Sequence, residues 1–213
     1  MEKIHGPLRR VAAGQALFTQ GEPAAATYTV VNGWVGLGDV LRDGRAVMLH
    51  IVMPGDIISL EYQGARSARG AVALTDVTLC SLSQSAHDAL RREDDLYDRR
   101  YQAAVASELH FAYEHAADIA LTTALERVAK LLLELAIRSR RRRPLAGDRI
   151  PAPLSQVQIG LLTGLTAVHV SRTLRKLRED GLVDFDRHVI EVLNPAALER
   201  VAGVSEDTVA MWT

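Results

Sequence analysis

The stretch "LTGLTAVHVSRTLRKLREDGL", residues 162–182, constrains the fold more tightly than any other part of the chain. On a 3.6-residue wheel Val170, Leu174 and Leu177 fall together, the spacing of a helix face that packs on a core. Val168, Ser171, Arg172, Arg175 and Glu179 fall on the opposite side. Thr166 stands at the N-cap position, where its hydroxyl can accept an unpaired N–H of the first turn. Upstream, "LSQVQIGLLTG" reads as a second helix, separated by a turn at Gly164-Leu165. Downstream, "LVDFD" and "HVIEVLN" read as short strands meeting near Arg187, and "PAALERVAG" as a short helix begun by proline. Two helices joined by a short Gly-containing turn, with a strand pair behind, describe a winged helix-turn-helix. In such units the second helix enters the major groove and its first turns reach base edges.

The N-terminal part has a different texture. Between Arg9 and Ser83 glycines punctuate short β-type runs. "TYTVVNGWVGLGDVL" predicts two strands around Asn32-Gly33, a two-residue hairpin signal, and "VLRDGRAVMLHIV" repeats the pattern at Asp43-Gly44. "MPGDIIS" turns at Pro54-Gly55, and "GAVALTDVTLCSLS" predicts two more strands about Thr75-Asp76. Short strands at this spacing, with no helices between them, predict an antiparallel roll or barrel.

After Ser83, "SQSAHDALRRED" predicts a serine-capped short helix. From Asp95 to Ala120 there is no Gly or Pro, which predicts a long helix with Tyr101, Val105, Ala112, Ala116 and Ile119 as a loose stripe. A further helix follows in "TTALERVAKLLLELAIRS", with Leu125, Val128, Leu132 and Leu135 on one face. A long helix with so little of its own domain to pack on predicts a second copy as its partner, hence a homodimer. "RSRRRRPLAGDRIP" then reads as a solvated basic linker holding Arg138 and Arg140–Arg143, with phosphate contact as the alternative role. The implied organisation is a β-roll over 1–93, the dimerisation helix and its successor over 94–139, a linker over 140–148 and the winged helix over 149–213, an α+β chain.

Charge supports the division. The net charge of −1 hides 13 basic and 17 acidic side chains in residues 1–137, and 12 basic and 9 acidic in residues 138–213. Only the C-terminal part is suited to meet a polyanion. No basic-then-apolar leader opens the chain and no apolar run spans a bilayer, so the cytoplasm is the expected location, with no membrane partner. The single cysteine, Cys80, rules out an intramolecular disulfide and an iron–sulfur cluster held by thiolates.

The residues 154–185, "LSQVQIGLLTGLTAVHVSRTLRKLREDGLVDF", resemble the DNA-binding motif of the cyclic-AMP receptor protein and fumarate–nitrate reduction regulator (CRP/FNR) family. The resemblance extends backwards through "QGE", "NGWV" and "PGD" to the family's cyclic-nucleotide-binding β-roll. It implies a jelly-roll-like antiparallel sensor domain, a long dimerisation helix and a winged helix-turn-helix. It also implies a homodimeric transcription regulator on double-stranded DNA with a pseudo-palindromic operator, meeting RNA polymerase if it is an activator. Arg172 matches the family's base-reading arginine, whose fork fits guanine O6 and N7, and Ser171 the serine beside it. His169 matches a phosphate-touching position. Gln156, Thr166 and Arg175 complete the expected DNA-contacting set. Val168 stands where relatives often carry a glutamate that accepts from cytosine N4; valine instead suits a thymine methyl.

The signal site departs further. Cyclic-nucleotide binders place Gly-Glu after the "GD" turn and Arg-Ser on the next strand. Here Ser59-Leu60 and Ser67-Ala68 stand in those places, with Arg66 and Arg69 nearby, and Ala112-Tyr113 stand where a Thr-Ser pair meets the adenine. Ser59, Leu60, Arg66, Arg69 and Tyr113 are therefore the candidate ligand residues, for an effector other than a cyclic nucleotide. Haem stays open through His50, His87, His110 and His115. His110, Glu114 and Asp118, at i, i+4, i+8, read as a polar face rather than a metal site. No nucleophile–base pair or phosphate-cradling loop suggests an enzyme. A partner-binding module that spends the helix-turn-helix surface on protein contacts is the competing class.

Overall fold

The structure, a computed structural model, describes residues 6–23, 26–41, 43–58, 66–142 and 149–212. The chain divides into two compact units, Met1–Tyr113 and Glu114–Thr213.

In the first unit, short apolar runs rich in valine, isoleucine and leucine, set off by glycines, build β1 (Leu8–Val11), β2 (Ala16–Phe18), β3 (Ala26–Asn32), β4 (Val35–Val40), β5 (Ala46–Val52), β6 (Ile57–Ile58), β7 (Gly70–Ala73) and β8 (Val77–Ser83). Among the described residues they form two antiparallel four-stranded sheets, ordered β1-β8-β3-β6 and β2-β7-β4-β5. Val11, Leu17, Val30, Val35, Leu37, Val52, Ile58 and Leu79 fill the core. This is the roll that the strand spacing implies.

One expected connection is different. The Asn32-Gly33 segment does not close a hairpin: β3 pairs with β6 and β8, whereas β4 pairs with β5 and β7. The segment is a corner where the chain changes sheets. The Thr75-Asp76 turn between β7 and β8 does the same, and the two corners touch. Trp34 N–H donates to Thr75 Oγ1 at 3.0 Å, and Leu74 N–H to Trp34 O at 2.8 Å. Gly33, at φ +87°, has no room for a side chain, since a Cβ there would lie 2.3 Å from Asp76 O. β4 and β5 do form a hairpin about Asp43-Gly44, through a longer loop than the two-residue signal, since Leu41 N–H donates to Arg45 O at 2.7 Å; the Asp43 carboxylate accepts from Arg45 N–H.

α1 (Gln84–Glu93) starts at Ser83, whose hydroxyl accepts Ala86 N–H at 3.3 Å. α2 (Asp95–Leu121) buries none of its residues. Tyr101, expected on its outer stripe, instead faces α1. Its ring meets His87 edge-on at 4.5 Å, and the Arg91 guanidinium lies 4.7 Å from its centre. The exposed apolar line is Val105, Leu109, Ala112, Ala116 and Ile119, at alternating four- and three-residue steps.

The second unit holds α3 (Ala124–Arg142), β9 (Arg149–Pro151), α4 (Gln156–Thr163), α5 (Ala167–Glu179), β10 (Val183–Asp186), β11 (Val189–Val192), α6 (Pro195–Ala202) and α7 (Glu206–Trp212). Its core joins Val128, Leu132 and Leu135 of α3 to Ile159, Val170, Leu177, Ile190 and Leu198, all fully buried. β9 and α7 are additions to the sequence reading. β9 pairs with β11 to make the sheet β10-β11-β9. Trp212 of α7 is buried.

The basic stretch also needs correction. α3 continues past residue 139 to Arg142, and Arg138, expected in a solvated linker, is buried and bonded to Glu134 at 2.6 Å. Residues 143–148 lie outside the described residues. Glu134 has its pKa raised by burial, with Arg138 opposing. Nearby, Lys130 Nζ bridges Glu114 and Asp118 at the end of α2, the latter at 2.9 Å. Arg127 donates to the carbonyls of Asp118 and Ile119 at 3.2 and 3.0 Å, satisfying the acceptors at that helix end. Glu114 and Asp118 are thus engaged by a lysine. Among the described residues no group of His, Cys, Asp or Glu is set to hold a metal ion.

Candidate nucleic-acid interface

Local signals fix the helix-turn-helix. Ser155 opens α4 with a reciprocal cap: its hydroxyl accepts Gln158 N–H at 3.2 Å while the Gln158 side chain accepts Ser155 N–H at 2.7 Å. Gly164, at φ +68°, ends the helix in the left-handed conformation. One turn back, Gly160 lets the following turn press on the helix, since a Cβ would sit 2.4 Å from Leu165 O. Thr166 Oγ1 then accepts His169 N–H at 3.3 Å and starts α5, as its side chain suggested.

α5 packs on α3, α4 and β10. Val170, Thr173, Leu174 and Leu177 are buried, and the Thr173 hydroxyl is satisfied within the helix by His169 O at 2.9 Å. Val168, His169, Ser171, Arg172, Arg175, Lys176 and Arg178 are exposed.

The cations of this face are not equivalent. Arg175 lies 3.8 Å from Glu179, Lys176 2.6 Å from Asp180 and Arg178 3.6 Å from Asp184. The Asp180 carboxylate also raises the Lys176 pKa. Arg172 has no ion pair or hydrogen bond among the described residues. Its guanidinium fork is unspent.

A groove of about 170 Å³ runs along this face, lined by Gln156, Ser171, Arg172, Leu174, Arg175, Arg178, Asp184 and Phe185. The fold therefore collects four of the expected DNA-contacting residues, Gln156, Ser171, Arg172 and Arg175, at one place. Thr166, Val168 and His169 sit at the start of α5 and do not line the groove. Asp184 and Phe185 were not foreseen. They come from β10, and only its pairing and packing bring them beside α5.

The β10–β11 turn is strained: Arg187 and His188, neither a glycine, have φ of 46° and 64°. Such conformations persist where surrounding contacts impose them. His188 Nδ1–H donates to Leu154 O at 3.0 Å, and Ala152 N–H donates to His188 O at 2.7 Å. The turn is thus tied to the segment that leads into α4.

The candidate ligand residues are dispersed in their roles. Ser59 and Leu60 lie outside the described residues. The Arg66 guanidinium donates to Gly21 O at 2.7 Å, and Arg69 pairs with Glu108 of α2. Ser67 is buried, and Tyr113 is 69% exposed. Of the histidines, His50 stacks on Phe111 with ring centres 4.4 Å apart, and His87 shares a 2.8 Å hydrogen bond with Tyr97. The Nε2 atoms of His110 and His115 are buried without a hydrogen-bond partner among the described residues.

Residues 126–201 match the family of Crp-like helix-turn-helix domains, and residues 8–94 the cyclic nucleotide-binding domain. The chain is 30% identical to the nitrogen fixation regulation protein FixK of Bradyrhizobium diazoefficiens, over 91% of this chain and 82% of that protein. It is 32% identical to the cyclic AMP receptor protein of Thermus thermophilus, over 89% and 85%. Among solved structures it resembles FixK2 from Bradyrhizobium japonicum, with a TM-score of 0.82 at 29% identity over 93% of this chain and 98% of that one. No helix among the described residues is long and apolar enough to cross a membrane.

Proposed function

The chain belongs to the CRP/FNR family of DNA-binding transcription regulators, and from that premise we propose that it acts as a homodimer reading a pseudo-palindromic operator through α5, with Arg172 on a guanine. The observation that carries this reading is the unspent guanidinium of Arg172. It stands on an exposed helix face whose other cations have carboxylate neighbours. A bidentate pair with guanine O6 and N7 gives such a fork a use. Ser171, Gln156 and Arg175 share its groove and serve the phosphates around it. Thr166 and His169 meet phosphate at the start of α5, where the helix dipole favours an anion. Val168, 62% exposed, packs on a thymine methyl.

Dimerisation is supported by the exposed line Val105, Leu109, Ala112, Ala116, Ile119, whose heptad-like steps suit a second copy of the same helix. Two α5 helices then read half-sites about one helical turn apart. The protein works in the cytoplasm by binding rather than catalysis, and touches RNA polymerase if it activates. Its signal is not a cyclic nucleotide. The two arginines nearest the family's phosphate-binding place are spent, Arg66 on the Gly21 carbonyl and Arg69 on Glu108. An iron–sulfur cluster is likewise not the sensor, Cys80 being the chain's one cysteine and buried.

The test is selection of binding sites from a random duplex pool with the full-length protein. An inverted repeat containing an invariant guanine is expected. Failure to enrich any sequence, or enrichment of an unrepeated site, refutes the proposal. Native mass spectrometry of protein from its host checks the rest: a dimer mass, with haem or another retained ligand visible as added mass.

A further inference from the structure

The segment that carries the reading helix is close to electrically neutral. Residues 166–188 carry five cationic side chains, Arg172, Arg175, Lys176, Arg178 and Arg187, and four anionic ones, Glu179, Asp180, Asp184 and Asp186. Binding to arbitrary duplex rests almost wholly on phosphate neutralisation and counterion release. The segment supplies only one of the three net positive charges of residues 138–213, so it contributes little of that term.

The acids differ in position. Glu179 and Asp180 pair with Arg175 and Lys176 along the helix at i, i+4. Asp186 sits beside Arg187 in the β10–β11 turn, 3.7 Å away, both well exposed. Asp184 alone among them lines the groove with Arg172, Arg175 and Arg178. It lies 3.6 Å from Arg178, with one third of its side chain exposed.

We propose that Asp184 is a specificity-determining residue: its carboxylate disfavours non-specific duplex binding and positions Arg178 in the groove for the operator. It rests on the DNA-reading function proposed above. In a loose, non-specific complex the carboxylate only repels phosphate and keeps Arg178 occupied. In the seated complex the groove is desolvated, and the carboxylate holds the Arg178 guanidinium in the groove it shares with Arg172 and Arg175, because a charge-assisted pair strengthens as water leaves. The same negative charge is a cost in one complex and a support in the other. Discrimination gains in proportion.

The test compares full-length wild type with Asp184→Asn on two probes, the duplex enriched by the selection above and a fixed random-sequence duplex of equal length. The variant should bind the random duplex 3- to 10-fold more tightly at moderate salt. The slope of log affinity against log salt on that probe should steepen by about one per protomer, about two for the dimer. Affinity for the selected duplex should stay level or fall, so the ratio of the two drops at least 3-fold. Asp184→Glu should restore most of the ratio. Asp186→Asn makes the same charge change outside the groove and should move the ratio less than half as far. Unchanged affinities, equal weakening on both probes with a lower melting temperature, or an Asp186→Asn effect as large as that of Asp184→Asn would each overturn the inference. If wild type selects no sequence, the DNA-reading proposal itself has failed, an outcome distinct from any of these.

Discussion

Arg172→Ala separates reading from folding more cleanly than any other change in this chain. The side chain is exposed and makes no ion pair or hydrogen bond among the described residues, so its removal should alter stability by no more than about 0.5 kcal/mol. Its neighbours tell a different story. Arg175, Lys176 and Arg178 each have an acidic neighbour, at 3.8, 2.6 and 3.6 Å, so their removal also frees a carboxylate in the interface. A bidentate arginine–guanine pair is worth about 1–3 kcal/mol of discrimination. The proposed homodimer would lose two such pairs, about 2–6 kcal/mol, or roughly 30-fold to 10⁴-fold in operator affinity at about 1.4 kcal/mol per decade. Binding to random duplex should fall by far less, since that term needs charge but not a fork. Arg172→Lys keeps the charge and loses the fork, so it should rescue the random duplex and leave the operator weak. Electrophoretic or fluorescence titration of both probes at several salt concentrations, with melting curves alongside, measures every quantity. An Arg172→Ala protein that melts normally and weakens equally on both probes would refute the reasoning, because Arg172 would then be one phosphate contact among several.

Other outcomes follow from the packing. Gly160→Ala places a methyl 2.4 Å from Leu165 O, against backbone rather than a movable side chain. It should destabilise the second unit by more than about 2 kcal/mol, lowering the melting temperature and DNA affinity together; a normal melting curve counts against the close approach. Lys130→Met leaves Glu114 and Asp118, partly buried, without their shared cation, and should cost about 1–3 kcal/mol. A parallel Glu114→Gln, Asp118→Asn, Lys130→Met triple variant should recover part of that loss in denaturant titrations. Burial, with Arg91 adding to it, holds the His87 pKa below the usual imidazole range, while Asp88 and Asp98 oppose. The unfolded chain therefore binds the proton more readily. The contribution of His87 to stability is complete above about pH 6.5 and is lost as the pH falls through the lower folded value. His87→Asn should flatten the decline in melting temperature between about pH 6.5 and 5, and an unchanged decline assigns it to other groups, His115 first.

What the sequence reveals and conceals follows the reach of each interaction. The helix-turn-helix was legible because its determinants are local. The Ser155 and Thr166 caps, the Gly164 turn and the Val170, Leu174, Leu177 line all lie within a few residues of what they control. The corner at Asn32-Gly33 was misread for a physical reason: a tight hairpin and a step between sheets both ask for a glycine at positive φ. What decides between them is β8, which pairs with β3 from more than forty residues away. β9 was silent because its three residues earn strand status only from β11. Arg138 was misplaced because five arginines in six residues look solvated, whereas Glu134 one turn back and the burial of α3 draw that one inward. Asp184 belongs to the same class. Only the packing of β10 on α5 brings its carboxylate, with Phe185, into the groove that Arg172, Arg175 and Arg178 line. The residues that make this chain a DNA reader are thus written locally, while the one proposed to make it discriminating is supplied by tertiary structure.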